Sequence, residues 1–176
     1  MATKSTVVKA ELQVSDMDRH YYATHNLTLA QHPSETDERL MVRLLAFALH
    51  ADERLEFGRG LSDEDEPALW KRNYSDEIEL WIELGQPDES RLRKASARAR
   101  EVVVVGYGGN AAALARLRNL TVLEIAPADV AATTALLGRG MRVTAMIQDG
   151  ELQLMDADRT VALRPVVRMA PAVVGG

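Results

Sequence analysis

The stretch SDEDEPALWKRNYSDEIELWIELGQPDESRLRKASARA, residues 62–99, decides both the fold and the candidate chemistry. It opens on an acidic loop, Asp63-Glu64-Asp65-Glu66, and runs on through a strand-like segment, Glu77–Gly85. It closes on a helix, capped by Asp88, with Arg91, Lys94 and Arg98 on one side and Leu92, Ala95 and Ala99 opposite. Side chains alternate along a strand, so Ile78, Leu80, Ile82 and Leu84 share one face while Glu79, Trp81 and Glu83 share the other. Carboxylates on a loop and a strand, with a lysine just beyond, are the parts of a Mg²⁺-dependent phosphodiester-cleaving site. The alternative is a one-sided sheet with a solvated acidic face.

Upstream, Thr6–Val14 alternates Val8, Ala10, Leu12 and Val14 against Lys9, Glu11 and Gln13, the pattern of a half-buried strand. Asp16–Arg19 is the turn, and Tyr21–Ala30 returns with Tyr21, Ala23, His25, Leu27 and Leu29 on one face. That placement makes His25 a core histidine with a hydrogen-bond partner. A helix follows, with Ser34 as N-cap, Asp37 completing a capping box, and an end near His50. Glu35, Arg39, Arg43 and His50 form its polar side. Glu38 breaks the pattern, because it falls on the same line as Leu45 and Leu49. It sits either at the helix mouth, favoured by the macrodipole, or facing a partner inside.

Arg54–Gly58 reads as a short strand, and Ser62–Asn73 as the loop carrying the acidic cluster. Downstream, Val102–Val105 is a β-branched run suited to a fully buried strand. A short helix over Asn110–Arg118 and a strand over Thr121–Ile125 extend a strand-helix-strand-helix-strand series, which implies a parallel centre. Ala126–Leu137 is a weaker helical segment. Asp149-Gly150 is a strong hairpin signal, joining Arg142–Gln148 to Glu151–Met155. Thr160–Arg164 is a final strand ending near Pro165, and the tail APAVVGG is expected to fray. Together these predict one mixed α/β domain over residues 1–176, with a β-meander at each end and a βαβαβ unit between.

With 176 residues, 47% of them apolar and 27% charged, the chain has material for an ordinary globular core. No apolar run approaches a membrane span, and the N-terminus lacks a signal core. The absence of cysteine excludes disulfides, thiolate metal sites and thiol nucleophiles, and fits a reducing cytoplasm. A net charge of −5 argues against a surface built mainly on phosphate contacts, so any nucleic-acid role rests on a local basic patch or a metal bridge.

A metal site here requires carboxylates from separate segments. Glu79 and Glu83 lie roughly 13 Å apart along an extended strand and cannot share one ion. Glu83, beside Gly85 at the strand end, is the better placed. Asp65 and Glu66 reach it if the loop folds back, Lys94 reaches it from the next helix, and Glu38 is a further carboxylate from the first helix.

HPSETDERLMVRLLAFALHADERLEFGRGLSDEDEPALW, IELWIELGQPDESRLRKA and AMIQDGELQL together closely resemble the YaeQ family of small bacterial proteins, with similarity from about Ser5 to Leu163. The resemblance implies an α+β roll related to the PD-(D/E)XK core of restriction endonucleases, with a mixed sheet, flanking helices and altered topology. It implies a nuclease-like scaffold and does not by itself imply a nuclease. Under it, Asp65 or Glu66 takes the place of the first acidic residue, and Glu83-Leu84-Gly85 that of the (D/E)XK strand. Gly85 stands where that motif has lysine. Lys94 is the substitute from the next helix, and Glu38 matches the acidic residue many members carry on their first helix.

Gly106-x-Gly108-x-x-Ala111, with Glu124 ending the next strand, also resembles a dinucleotide fingerprint. Too few parallel strands remain after Glu124 for that fold, and a tight glycine turn explains the motif. The sequence thus leaves two readings. One is a cytoplasmic, monomeric Mg²⁺-dependent nuclease acting on nucleic acid, with Glu38, Asp65 or Glu66, and Glu83 as metal ligands and Lys94 as electrostatic stabiliser. The other is a catalytically silent nucleic-acid-binding or transcription-associated regulatory module on the same scaffold.

Overall fold

Period-two alternation at the N-terminus produces two long strands, β1 (Thr6–Asp16) and β2 (Tyr21–Gln31), followed by helix α1 (Asp37–Leu49). The chain continues through β3 (Leu55–Phe57), β4 (Leu69–Arg72), β5 (Ile78–Leu84), α2 (Glu89–Arg98), β6 (Ala99–Gly106) and β7 (Leu120–Glu124). It ends with α3 (Pro127–Thr133), β8 (Gly140–Gln148), β9 (Glu151–Met155), β10 (Thr160–Leu163) and β11 (Val166–Met169). This computed structural model describes residues 5–63, 65–108 and 117–171. The expected helix over Asn110–Arg118 falls almost wholly outside them, as do Ala111, Glu64 and the last residues of the tail. The architecture is mixed α+β, in two compact units: Met1–Ala51 with Ala126–Pro165, and Asp52–Ile125 with Val166–Gly176.

In the first unit the sheet order is β10-β9-β8-β1-β2. The β1–β2 hairpin and the β8-β9-β10 meander, expected as separate ends of the fold, are one sheet because β1 pairs in parallel with β8. Val8, Ala10, Leu12 and Val14 are buried as their alternation requires, with Met141, Val143, Ala145, Ile147, Leu152 and Leu154 from the meander. His25 has the hydrogen-bond partner expected of it but is half-buried and not in the core: its Nε2 lies 2.8 Å from the Tyr21 hydroxyl, and its ring meets Phe47 edge-on. The Asp149-Gly150 turn forms as expected, with both residues left-handed (φ 54° and 78°). The Asp18 carboxylate accepts hydrogen bonds from both turn amides, Asp149 at 2.7 Å and Gly150 at 2.9 Å. These two bonds hold the Asp18 carboxyl below the usual aspartate range.

Two sequence expectations for α1 fail. The cap is Thr36, whose hydroxyl accepts from the Arg39 amide at 3.1 Å, while Ser34 bonds His32 in the preceding turn. Every residue from Leu40 to Ala48 is buried, including Arg43 on the supposed polar side. Arg43 reaches Glu35 at 2.7 Å, Arg39 reaches the same carboxylate at 2.5 Å, and burial pulls the Arg43 guanidinium below its ordinary pKa. That side of the helix is an internal ion cluster, tolerated because each charge has a charged partner.

In the second unit the order is β11-β7-β6-β5-β4-β3, with β5, β6 and β7 parallel and antiparallel strands on either side. Val102–Val105 form the fully buried central strand, as expected. α2 crosses from β5 to β6 and packs Leu92 and Ala95 on Trp81, Val102, Val104, Leu120 and Val122. Its end is held by buried Asn119, whose side-chain amide donates to the Ser96, Ala99 and Arg100 carbonyls while its side-chain oxygen accepts from the Ser96 hydroxyl. Residues 69–72, expected as loop, are β4. Val166–Met169, beyond the last expected strand, is β11, paired to β7.

Candidate functional site

The β5 alternation places Glu79, Trp81 and Glu83 on the face that α2 crosses, so this face is not a solvated acidic one. Glu83 is only 6% exposed. A buried carboxylate needs hydrogen-bonded, charged company, and Glu83 has it. One oxygen, Oε1, accepts from the Trp81 indole Nε1 at 2.8 Å and from Arg91 Nε at 2.8 Å. Arg91 stands near the start of α2, directly after the turn that leaves β5, and its long stem lies back over the strand end.

The same guanidinium fixes the acidic loop. Arg91 Nη2 donates to the Glu66 carbonyl at 2.9 Å, and Arg98 Nη1 donates to the Asp65 carbonyl at 3.2 Å. Arg98 also lies 5.1 Å over the Trp81 ring. At the loop's entrance, a Cβ on Gly58 would fall 2.1 Å from the Pro67 carbonyl oxygen, so only glycine lets the two segments close. Loop, strand end and helix therefore do converge, but through arginines on backbone carbonyls and not through carboxylates on a common point.

Each expected site residue has surroundings of its own. The Asp65 side chain is exposed, and its amide donates to Asp63. The Glu66 carboxylate turns to Arg59, accepting from its amide at 3.2 Å with Nε at 3.8 Å. Lys94 is exposed on α2, and Arg91 holds the position beside Glu83 assigned to it. Glu38 belongs to the first unit and is exposed in the first turn of α1, at the helix mouth. Glu79 pairs with Arg54 and Lys71. Among the described residues no three His, Cys, Asp or Glu side chains stand where they could hold a metal ion. Within the second unit, Asp65, Glu66 and Glu83 do not bring three carboxylates to one point.

Gly85 stands where the resemblance would set a lysine. Its φ of +83° is left-handed, a conformation that a lysine adopts only with strain. In the dinucleotide alternative, Glu124 would hold a ribose. It is buried and paired with Arg168 of β11 at 3.5 Å.

Sequence reading missed a groove of mixed charge. Arg98, Arg100 and Arg118 line it with Asp76, Glu77, Ile78 and Glu79. Its acids have partners: Asp76 has Arg72, Glu77 has Asn73, and Glu79 has Arg54 and Lys71. Arg100 and Arg118 have no ion-pair partner among the described residues. Their separation in sequence hid them, since only the β6–β7 pairing brings residue 100 near residue 118.

The YaeQ protein family model matches residues 1–165. The "Uncharacterized protein YaeQ" of Salmonella typhi is 42% identical over 181 residues, covering 98% of this chain and 100% of that protein. Its namesake in Escherichia coli (strain K12) is 45% identical over 165 residues, covering 89% and 91%. The crystal structure of YaeQ protein from Xanthomonas axonopodis pv. citri superposes with a TM-score of 0.90 at 61% identity, covering 95% of this chain and 99% of that one. That from Pseudomonas syringae also gives 0.90, at 35% identity, covering 94% and 97%. With a family model spanning nearly the whole chain and relatives this similar along their full length, the chain belongs to the YaeQ family.

Proposed function

We propose that this protein is a nucleic-acid-binding module that keeps the nuclease-like scaffold implied by its sequence and does not cleave. The observation that carries the reading is the Glu83–Arg91 pair: the carboxylate where a PD-(D/E)XK enzyme would hold its metal is neutralised by a guanidinium and an indole N–H. Gly85, left-handed at the lysine position, supports the same conclusion. Phosphate contact falls to the exposed cations of the second unit, Lys94, Arg98, Arg100 and Arg118, which offset locally the chain's net charge of −5. No helix among the described residues is long and apolar enough to cross a membrane.

The test is fluorescence anisotropy with short labelled DNA and RNA, single- and double-stranded, with and without Mg²⁺, followed by gel analysis of the same samples. The expected result is salt-sensitive binding at roughly 10⁻⁶–10⁻⁴ M with the strands intact. Mg²⁺-dependent products that disappear in Glu83→Gln would restore the enzymatic reading. Absence of binding to every substrate would remove the nucleic-acid assignment.

A further inference from the structure

The first unit carries an unprotected sheet edge. β2 is eleven residues long, YYATHNLTLAQ, and stands last in its sheet. It contains no Asp, Glu, Lys, Arg or Pro, and its pairing with β1 is unbroken over all eleven positions. Soluble proteins shield such edges by keeping them short or by adding charges, prolines or bulges. The other described edges follow that rule: β10 and β11 have four residues each and β3 has three.

The hydrogen-bond parity identifies which groups face outward. Lys9 donates to the Arg139 carbonyl and Met17 to that of Ile147, so the odd residues of β1 bond to β8. The even residues of β1 therefore face β2, opposite Tyr21, Ala23, His25, Leu27, Leu29 and Gln31. The N–H and C=O groups of Tyr22, Thr24, Asn26, Thr28 and Ala30 are left pointing away from the sheet. The Ala30 carbonyl takes Arg43 Nη2 at 3.1 Å, as this parity requires. The side chains of all five are exposed, Tyr22 at 61%.

We propose that this edge pairs with the same edge of a second copy of the chain, antiparallel about a two-fold axis, joining two five-stranded sheets into one. This departs from the monomer expected from the sequence. Two identical edges repel when they bring like charges together, and this one brings none. The same lack of charge gives a foreign segment nothing to be selected by, whereas the edge complements itself. Because Arg43 occupies the Ala30 carbonyl, the usable register sets Tyr22 opposite Thr28 of the second copy and Thr24 opposite Asn26. That register forms about eight backbone hydrogen bonds and places the Tyr22 ring over a threonine, a favourable cross-strand pair. One strand pair buries less than a standard interface, so the dimer is weak, populated at roughly micromolar concentrations and above.

Sedimentation velocity across a concentration series tests this, together with amide hydrogen exchange at both ends of the series. The expected result is a monomer–dimer equilibrium, with the Tyr22, Thr24, Asn26 and Thr28 amides protected only at high concentration. Asn26→Pro removes one outward N–H and no bond of the β1–β2 ladder, so the fold should persist. It should weaken the dimer at least tenfold, as should Thr24→Lys. Gln148→Lys, exposed on β8, should leave it unchanged. A protein that stays monomeric at the highest concentration, or a dimer indifferent to Asn26→Pro and Thr24→Lys, overturns the proposal. So does protection of these amides that appears only when another protein is added.

Discussion

Replacing Arg91 with alanine should destabilise the second unit. The Arg91 side chain donates short hydrogen bonds to the Glu83 carboxylate at 2.8 Å and to the Glu66 carbonyl at 2.9 Å, among its contacts. Stranding a buried carboxylate costs about 3–5 kcal/mol. Arg91 is 24% exposed, however, so water partly replaces it, and the Trp81 indole remains a donor. The expected cost is about 2–4 kcal/mol. Both tryptophans, Trp70 and Trp81, lie in the second unit, so urea unfolding followed by tryptophan fluorescence reads that unit alone. In a double-mutant cycle with Glu83→Gln the two changes should fall short of additivity by about 1–3 kcal/mol. A loss below about 0.5 kcal/mol, within the range of ordinary surface substitutions, or strict additivity, would show that the ion pair does not hold this site together.

Three further outcomes follow from the same contacts. Asn119→Ala removes the amide that serves three carbonyls at the end of α2, and should cost about 2–4 kcal/mol by the same fluorescence assay. Gly85→Lys places a lysine at a left-handed position, so it should lose about 1–2 kcal/mol and, under the proposed function, gain no cleavage on a nuclease gel. Asp18 has a depressed carboxyl pKa in the folded protein, so its contribution is fully present above the unfolded value and is lost as pH falls through the folded one. Urea midpoints followed by circular dichroism should therefore separate wild type from Asp18→Asn at neutral pH and converge as the pH falls past the unfolded aspartate range and through the lower folded value.

Local signals carried much of this fold. The alternation of Val8 to Val14, the Asp149-Gly150 turn and the β-branched run Val102–Val105 each state a conformation within a few residues. What the sequence hid depends on distant partners. Nothing near Leu12 announces a parallel neighbour at Val143, and Val166–Met169 becomes a strand only because β7 offers an open edge. The cap of α1 was misplaced because Ser34 and Thr36 are both good caps, and the buried Glu35 cluster decides where the helix begins. At the site, the convergence of the loop, Glu83 and α2 was legible. Its chemistry was not, because Arg91, Lys94 and Arg98 form one basic stripe in sequence and only the packing of α2 on β5 selects Arg91 for Glu83.

The most direct test of the central claim watches the Trp81 indole N–H, 2.8 Å from Glu83 Oε1, by ¹H–¹⁵N NMR during a Mn²⁺ titration. With Arg91 holding the carboxylate, the signal should stay sharp and unshifted through millimolar Mn²⁺. Selective broadening of that signal at low metal, abolished by Glu83→Gln, would mean that Glu83 is a metal ligand and that the silent-site account is wrong.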